Sequence, residues 1–156
     1  MKSYQDILSL NRSMVIAGLG GLFSGAYVAQ LYFKYDQNSL TNALVVLWTE
    51  YAVYIPFLGA LLYIENRHKY LDPITGKENI SLFKQDMKKL AIAMSVSEVV
   101  YSVTKITWHY QFLQFAIAPI QASLASSLIG WAVFFVFINA IGDKIKLFRF
   151  DEKKSL

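Results

Sequence analysis

Residues Leu40 to Ile64, LTNALVVLWTEYAVYIPFLGALLYI, decide the fold. Across these 25 positions the only charged side chain is Glu50. About 20 apolar residues in a helix cross a hydrocarbon core of about 30 Å, so the stretch is long enough to span a bilayer. Backbone N–H and C=O groups in lipid must be paired within the structure, which leaves helices or a closed barrel. The apolar/polar alternation of a barrel strand is missing here. The stretch is therefore predicted to be a membrane-spanning helix.

Three more stretches pass the same test. They run over Ser13 to Phe33, about Leu90 to Thr107 and about Pro119 to Ile141. The expected fold class is all-α: an integral membrane four-helix bundle, up-down-up-down, forming a single domain over residues 1–156. Composition agrees with this. The chain is 55% hydrophobic and 17% charged, against about 25% charged residues in soluble domains. The first stretch follows Lys2 and Arg12, as a secretory signal would. Its apolar run is longer than a signal core and no small-residue cleavage site follows, so it is expected to remain as a span.

Charge sets the expected orientation. Thirteen of the fifteen Lys and Arg fall at the amino-terminal end, in the central segment 65–89 or in the tail after residue 143. Lys34 and Lys105 alone lie towards the other side. The positive-inside rule makes the richer side cytoplasmic, with both chain ends on it. The same rule accounts for the net charge of +4 without nucleic acid, which is not expected as a partner. The expected partners are the lipid bilayer and other membrane subunits, or a second copy of the chain. A dilysine at Lys153-Lys154 could mark an endoplasmic reticulum protein. Because positive-inside bias already explains those lysines, the cell membrane is favoured.

The central segment, Glu65 to Lys89, is the longest polar connection. Asp72-Pro73 and Gly76 signal a turn. Ser81 is a candidate cap for a short amphipathic helix carrying Phe83, Met87 and Leu90 on one face. Such a helix is expected to lie at the membrane interface before the third span. On the opposite side, Trp108 to Ala118 reads as a short connection rich in interfacial aromatics.

Two charged residues carry the functional reading. Glu50 lies about ten residues into its span, roughly 15 Å deep at the helical rise. Glu98 lies about nine residues into the third span, roughly 13 Å deep. Both are near the midplane, where an acidic side chain costs about 2.5–3.5 kcal/mol on insertion scales. Such residues normally face protein or water. In the third span Ser95, Glu98, Tyr101, Ser102, Lys105 and His109 recur at three- and four-residue spacing, predicting one polar stripe. Thr49 and Tyr54 accompany Glu50 on the second span, and Pro56 leaves the Ala52 carbonyl without its helical donor. The candidate intramembrane site is therefore Glu50, Glu98, Lys105, Tyr54, Tyr101, Ser102 and His109.

Small residues supply the packing signal. Ala17, Gly21, Gly25 and Ala29 are each four apart, as are Ala118, Ala122, Ser126 and Gly130. Ridges of this kind let helices approach closely, within a chain or between copies.

Enzyme signatures are missing from the sequence. It contains no cysteine, so thiolate metal sites and a cysteine nucleophile are excluded. No histidine pair has metal spacing, no serine sits in a nucleophile elbow, and no phosphate loop occurs. No cofactor and no catalysis are expected. Two functions remain: a non-catalytic subunit of a membrane assembly, and a small homo-oligomeric carrier or channel for protons or a polar or cationic solute.

Overall fold

The computed structural model describes residues 2–71 and 76–144. The predicted Asp72-Pro73 turn and the tail lysines beyond Lys144 lie outside them. The described chain is four helices: α1 (Lys2–Tyr32), α2 (Ser39–Tyr70), α3 (Ile80–Gln114) and α4 (Pro119–Lys144). The all-helical expectation holds. Three segments are long and apolar enough to cross a membrane, Leu10–Tyr32, Ser39–Arg67 and Pro119–Ile138. Within α3, Ile80–Ile92 and Met94–Gln114 qualify only together, meeting at a bend of 51°. The candidate spans thus number three or four.

Local chemistry explains where the helices start and stop. Asn38 caps α2, its side chain accepting from Leu40 N and Thr41 N at 3.0 Å each. Asn79 caps α3, accepting from Leu82 N at 3.0 Å. The cap thus falls two residues before Ser81, because Asn79 also donates its own N–H to Tyr70 O at 2.7 Å and closes the connection there. Gly76 sits at φ +63°, the left-handed conformation that a residue without Cβ adopts freely. Helix α3 continues to Gln114, through residues whose aromatic character suggests a connection. It stops where Ala116 turns to φ 56°, Ile117 N bonds Phe112 O at 3.0 Å and Ala116 N bonds Leu113 O at 3.1 Å. That pair of bonds is a Schellman ending. Pro119, which needs no N–H donor at a first helical position, then opens α4.

Each helix packs on two others: α1 and α3 both contact α2 and α4. Between α1 and α2, Asn42 Nδ2 donates to Ala29 O at 3.0 Å near one end. Near the other end, Arg12 and Ser13 donate to the two Glu65 oxygens at 2.6 and 2.8 Å. Both small-residue ridges serve contacts inside the chain. On α1, Ala17 and Ala29 are fully buried, and a Cβ on Gly21 would meet Glu50 O of α2 at 3.1 Å. On α4, a Cβ on Gly130 would meet the Tyr101 ring of α3 at 2.8 Å. Ala122 and Ser126 are buried and Ala118 is exposed.

The amphipathic start of α3 turns its apolar face to the protein. Phe83 sits edge-on to both Tyr63 and Tyr70 of α2, at 5.3 Å between ring centroids. Leu90 and Met87 join the core, while Lys84, Lys88 and Lys89 are exposed. Tyr70 is buried and donates to Asp86 Oδ2 at 3.4 Å. Burial, with the carboxylate beside it, pushes the Tyr70 hydroxyl up to about 12.

Large apolar side chains face outward as well as into the core. Phe23, Tyr27, Trp48, Val99, Leu128 and Val136 all stand more than half exposed on the outer faces. Among the described residues the two largest fully buried side chains are Lys105 and His109. Exposed apolar belts with polar groups turned inward are what a hydrocarbon surround demands.

Candidate functional site

Lys105 of α3 reaches across the interior to Glu50 of α2, with Nζ 2.6 Å from Oε1. Its ammonium also contacts Ser127 Oγ of α4. Ser127 in turn lies within donating distance of Glu50 Oε1, at 2.9 Å, and of Ser123 O, at 2.8 Å. Tyr101 donates to the second carboxylate oxygen, Oε2, at 2.8 Å. One ion pair therefore bonds three helices together. A buried pair of this kind is tolerable only when further hydrogen bonds occupy the remaining oxygens and protons, and here both Glu50 oxygens are engaged.

Close approach of α1 seals this layer. A Cβ on Gly25 would lie 2.6 Å from both Cγ and Oε1 of Glu50. Any larger residue would fall on the carboxylate itself.

Glu98 forms a second group one turn away on α3. Its Oε2 lies 2.8 Å from the Tyr51 hydroxyl oxygen of α2. Tyr51 also lies 2.8 Å from Ser102 Oγ, and Ser102 donates to the Glu98 carbonyl at 2.8 Å. No basic side chain bonds Glu98 among the described residues. The two carboxyls are separated by a cavity of about 40 Å³, which Tyr51, Tyr54 and Tyr101 also line. Its opposite wall is apolar, from Met14, Leu22, Trp131 and Phe134. A water needs roughly 10–15 Å³ by this measure, so the space has room for about three.

No family model, no curated protein and no solved structure matches this chain. Its own geometry is what bears on function.

The residues singled out from sequence do not all meet. Glu50, Tyr101 and Lys105 meet directly. Glu98 and Ser102 belong to the neighbouring group, and Tyr54 lines the cavity between. His109 lies one turn beyond Lys105, fully buried, with no hydrogen-bond partner at either ring nitrogen. Ser95 departs from the stripe: it is exposed and donates to Ile92 O at 2.7 Å within its own helix. Thr49 likewise donates to Val45 O, at 2.9 Å.

Two contributors escape the sequence reading. Tyr51 follows Glu50 directly, so helical periodicity alone sets it 100° away from its neighbour. It reaches Glu98 because α3 lies across that part of α2. Ser127 belongs to α4, which lacks charge over its central length. Its one sequence signal is the pair Ser123 and Ser127, four apart, beside the small-residue ridge.

Proposed function

We propose that this chain is a multi-pass membrane protein folded as an up-down-up-down four-helix bundle, with both ends cytoplasmic. In this reading it serves as a non-catalytic subunit of a membrane assembly, in the cell membrane rather than the endoplasmic reticulum. The observation that carries the reading is the Glu50–Lys105 pair. Charges that would serve a solute pathway are instead saturated within one chain, by Tyr101 and Ser127. The 40 Å³ cavity beside them has no room for a solute of metabolite size. Pairing of Asn42 with Ala29 and of Arg12 with Glu65 supports opposite directions for α1 and α2. The bias of Lys and Arg supports the cytoplasmic ends. The test is the native mass after gentle extraction, with the components identified. Co-purification with unrelated membrane proteins at fixed stoichiometry is expected, and a lone monomer or homodimer would count against the subunit role.

Glu98 favours a second reading, a homo-oligomeric carrier or channel for protons or a small cation. It is a carboxyl without a cationic partner among the described residues, lining a small cavity within a candidate span. Intramembrane carboxyls of that kind are a recurring element of proton relays. Reconstituted vesicles carrying a pH-sensitive dye would reveal flux. Under this reading Glu98→Gln abolishes it and Glu50→Gln reduces it, and flux unchanged by both substitutions would end the idea.

A further inference from the structure

We propose that Glu98 holds one exchangeable proton, taken up and released through the small cavity beside it. The proposal rests on α2 and α3 being membrane spans, and it holds whether or not protons cross the bilayer.

Counting hydrogens is the first argument. The Glu98 group has three oxygen–oxygen contacts of 2.8 Å: Tyr51 to Glu98 Oε2, Tyr51 to Ser102 Oγ, and Ser102 to the Glu98 carbonyl. Each needs a hydrogen between its two oxygens. Tyr51 and Ser102 own one hydroxyl hydrogen apiece. A proton on the Glu98 carboxyl supplies the third. The ring then closes in one direction: Glu98 donates to Tyr51, Tyr51 to Ser102, and Ser102 back to the Glu98 carbonyl. Every oxygen in it is satisfied.

Charge is the second argument, and it is independent of the first. The polar layer contains two carboxyls, Glu50 and Glu98, and one ammonium, Lys105. Lys105 is committed to Glu50 at 2.6 Å. An ionised Glu98 would leave one negative charge uncompensated at a part-buried position within a candidate span, which a low-dielectric surround opposes. The titratable groups facing the cavity are Glu50, Tyr51 and Tyr54 from α2 and Tyr101 from α3, with Lys105 behind Glu50. Helices α1 and α4 present none. An alkali ion is a poor source of the missing charge, because one wall is apolar and offers no further oxygen ligands.

The cavity makes the proton exchangeable. Room for about three waters beside Glu98 gives the carboxyl a partner with which to exchange its proton.

Infrared spectroscopy of the full-length protein in lipid nanodiscs tests this. The expected result is a carboxylic C=O band from a protonated side chain. It should shift on transfer to D₂O, be lost in Glu98→Gln and persist in the double variant Glu50→Gln/Lys105→Met, which removes both charges of the buried pair together. Glu98→Asp should move the band rather than remove it, which separates the assignment from misfolding of the glutamine variant. A wild-type protein without such a band overturns the proposal, as does a band that survives Glu98→Gln. A band insensitive to D₂O overturns the exchange. Failure of the membrane reading would look different, because the protein would then leave the membrane fraction in alkaline carbonate.

Discussion

Lys105→Met lowers the stability of the folded chain by about 3–5 kcal/mol, the usual penalty for stranding one member of a buried ion pair. Methionine keeps most of the lysine stem and its packing but removes the ammonium. Glu50 Oε1 then loses its closest partner, the 2.6 Å contact, and keeps only Ser127. Oε2 still accepts from Tyr101. A carboxylate buried among three helices cannot recruit bulk water in exchange. The double variant Glu50→Gln/Lys105→Met recovers most of the loss, since no charge is left buried and the glutamine oxygen still accepts from a hydroxyl. Midpoints of denaturant unfolding in detergent, for both singles and the double, measure this coupling. If Lys105→Met alone unfolds at the wild-type midpoint, the pair is not a structural clamp. The subunit reading then loses its main support.

Gly25→Ala is the second large effect, expected to cost about 1–3 kcal/mol as overpacking does. The added methyl would lie 2.6 Å from Glu50 Cγ and Oε1. Either α1 retreats from α2 or the Glu50 side chain turns away from Lys105, so the ion pair is strained in both cases. Gly59→Ala is the matched control. Nothing lies within 4 Å of the Cβ it would gain, and alanine favours a helix over glycine by about 0.5–1 kcal/mol. The two substitutions therefore move the unfolding midpoint in opposite directions. Equal effects would mean that glycine in this chain matters only through helix propensity.

Both expectations come from contacts that sequence patterns indicate incompletely. Length and apolar content were enough to make Leu40 to Ile64 a helix, because lipid leaves the backbone no other way to pair its polar groups. The same reasoning reaches α1 and α4. It is weaker for α3, whose thirty-five residues mix an exposed lysine-bearing face with an apolar one. There the run of apolar residues starts near Leu90, whereas the helix starts at Ile80. Asn79 sets that start by capping, an effect local to one side chain.

The composition of the interior was legible too. Glu50, Glu98 and Lys105 are the charged residues in long apolar runs, and each is expensive enough in hydrocarbon to need protein around it. Cost of transfer depends on residue type and depth alone, so one strand of sequence reveals it. Which carboxyl takes the lysine is a different kind of question. Periodicity gives each helix a face but leaves its rotation and its neighbour open, and Glu50 and Glu98 both lie near the midplane. The close seating of α1 on Gly21 and Gly25, and of α4 on Gly130, fixes those rotations. With them fixed, Lys105 meets Glu50 and Tyr51 meets Glu98. Pairing across helices is a property of the packed whole, because each partner's position depends on side chains from other helices, distant in sequence.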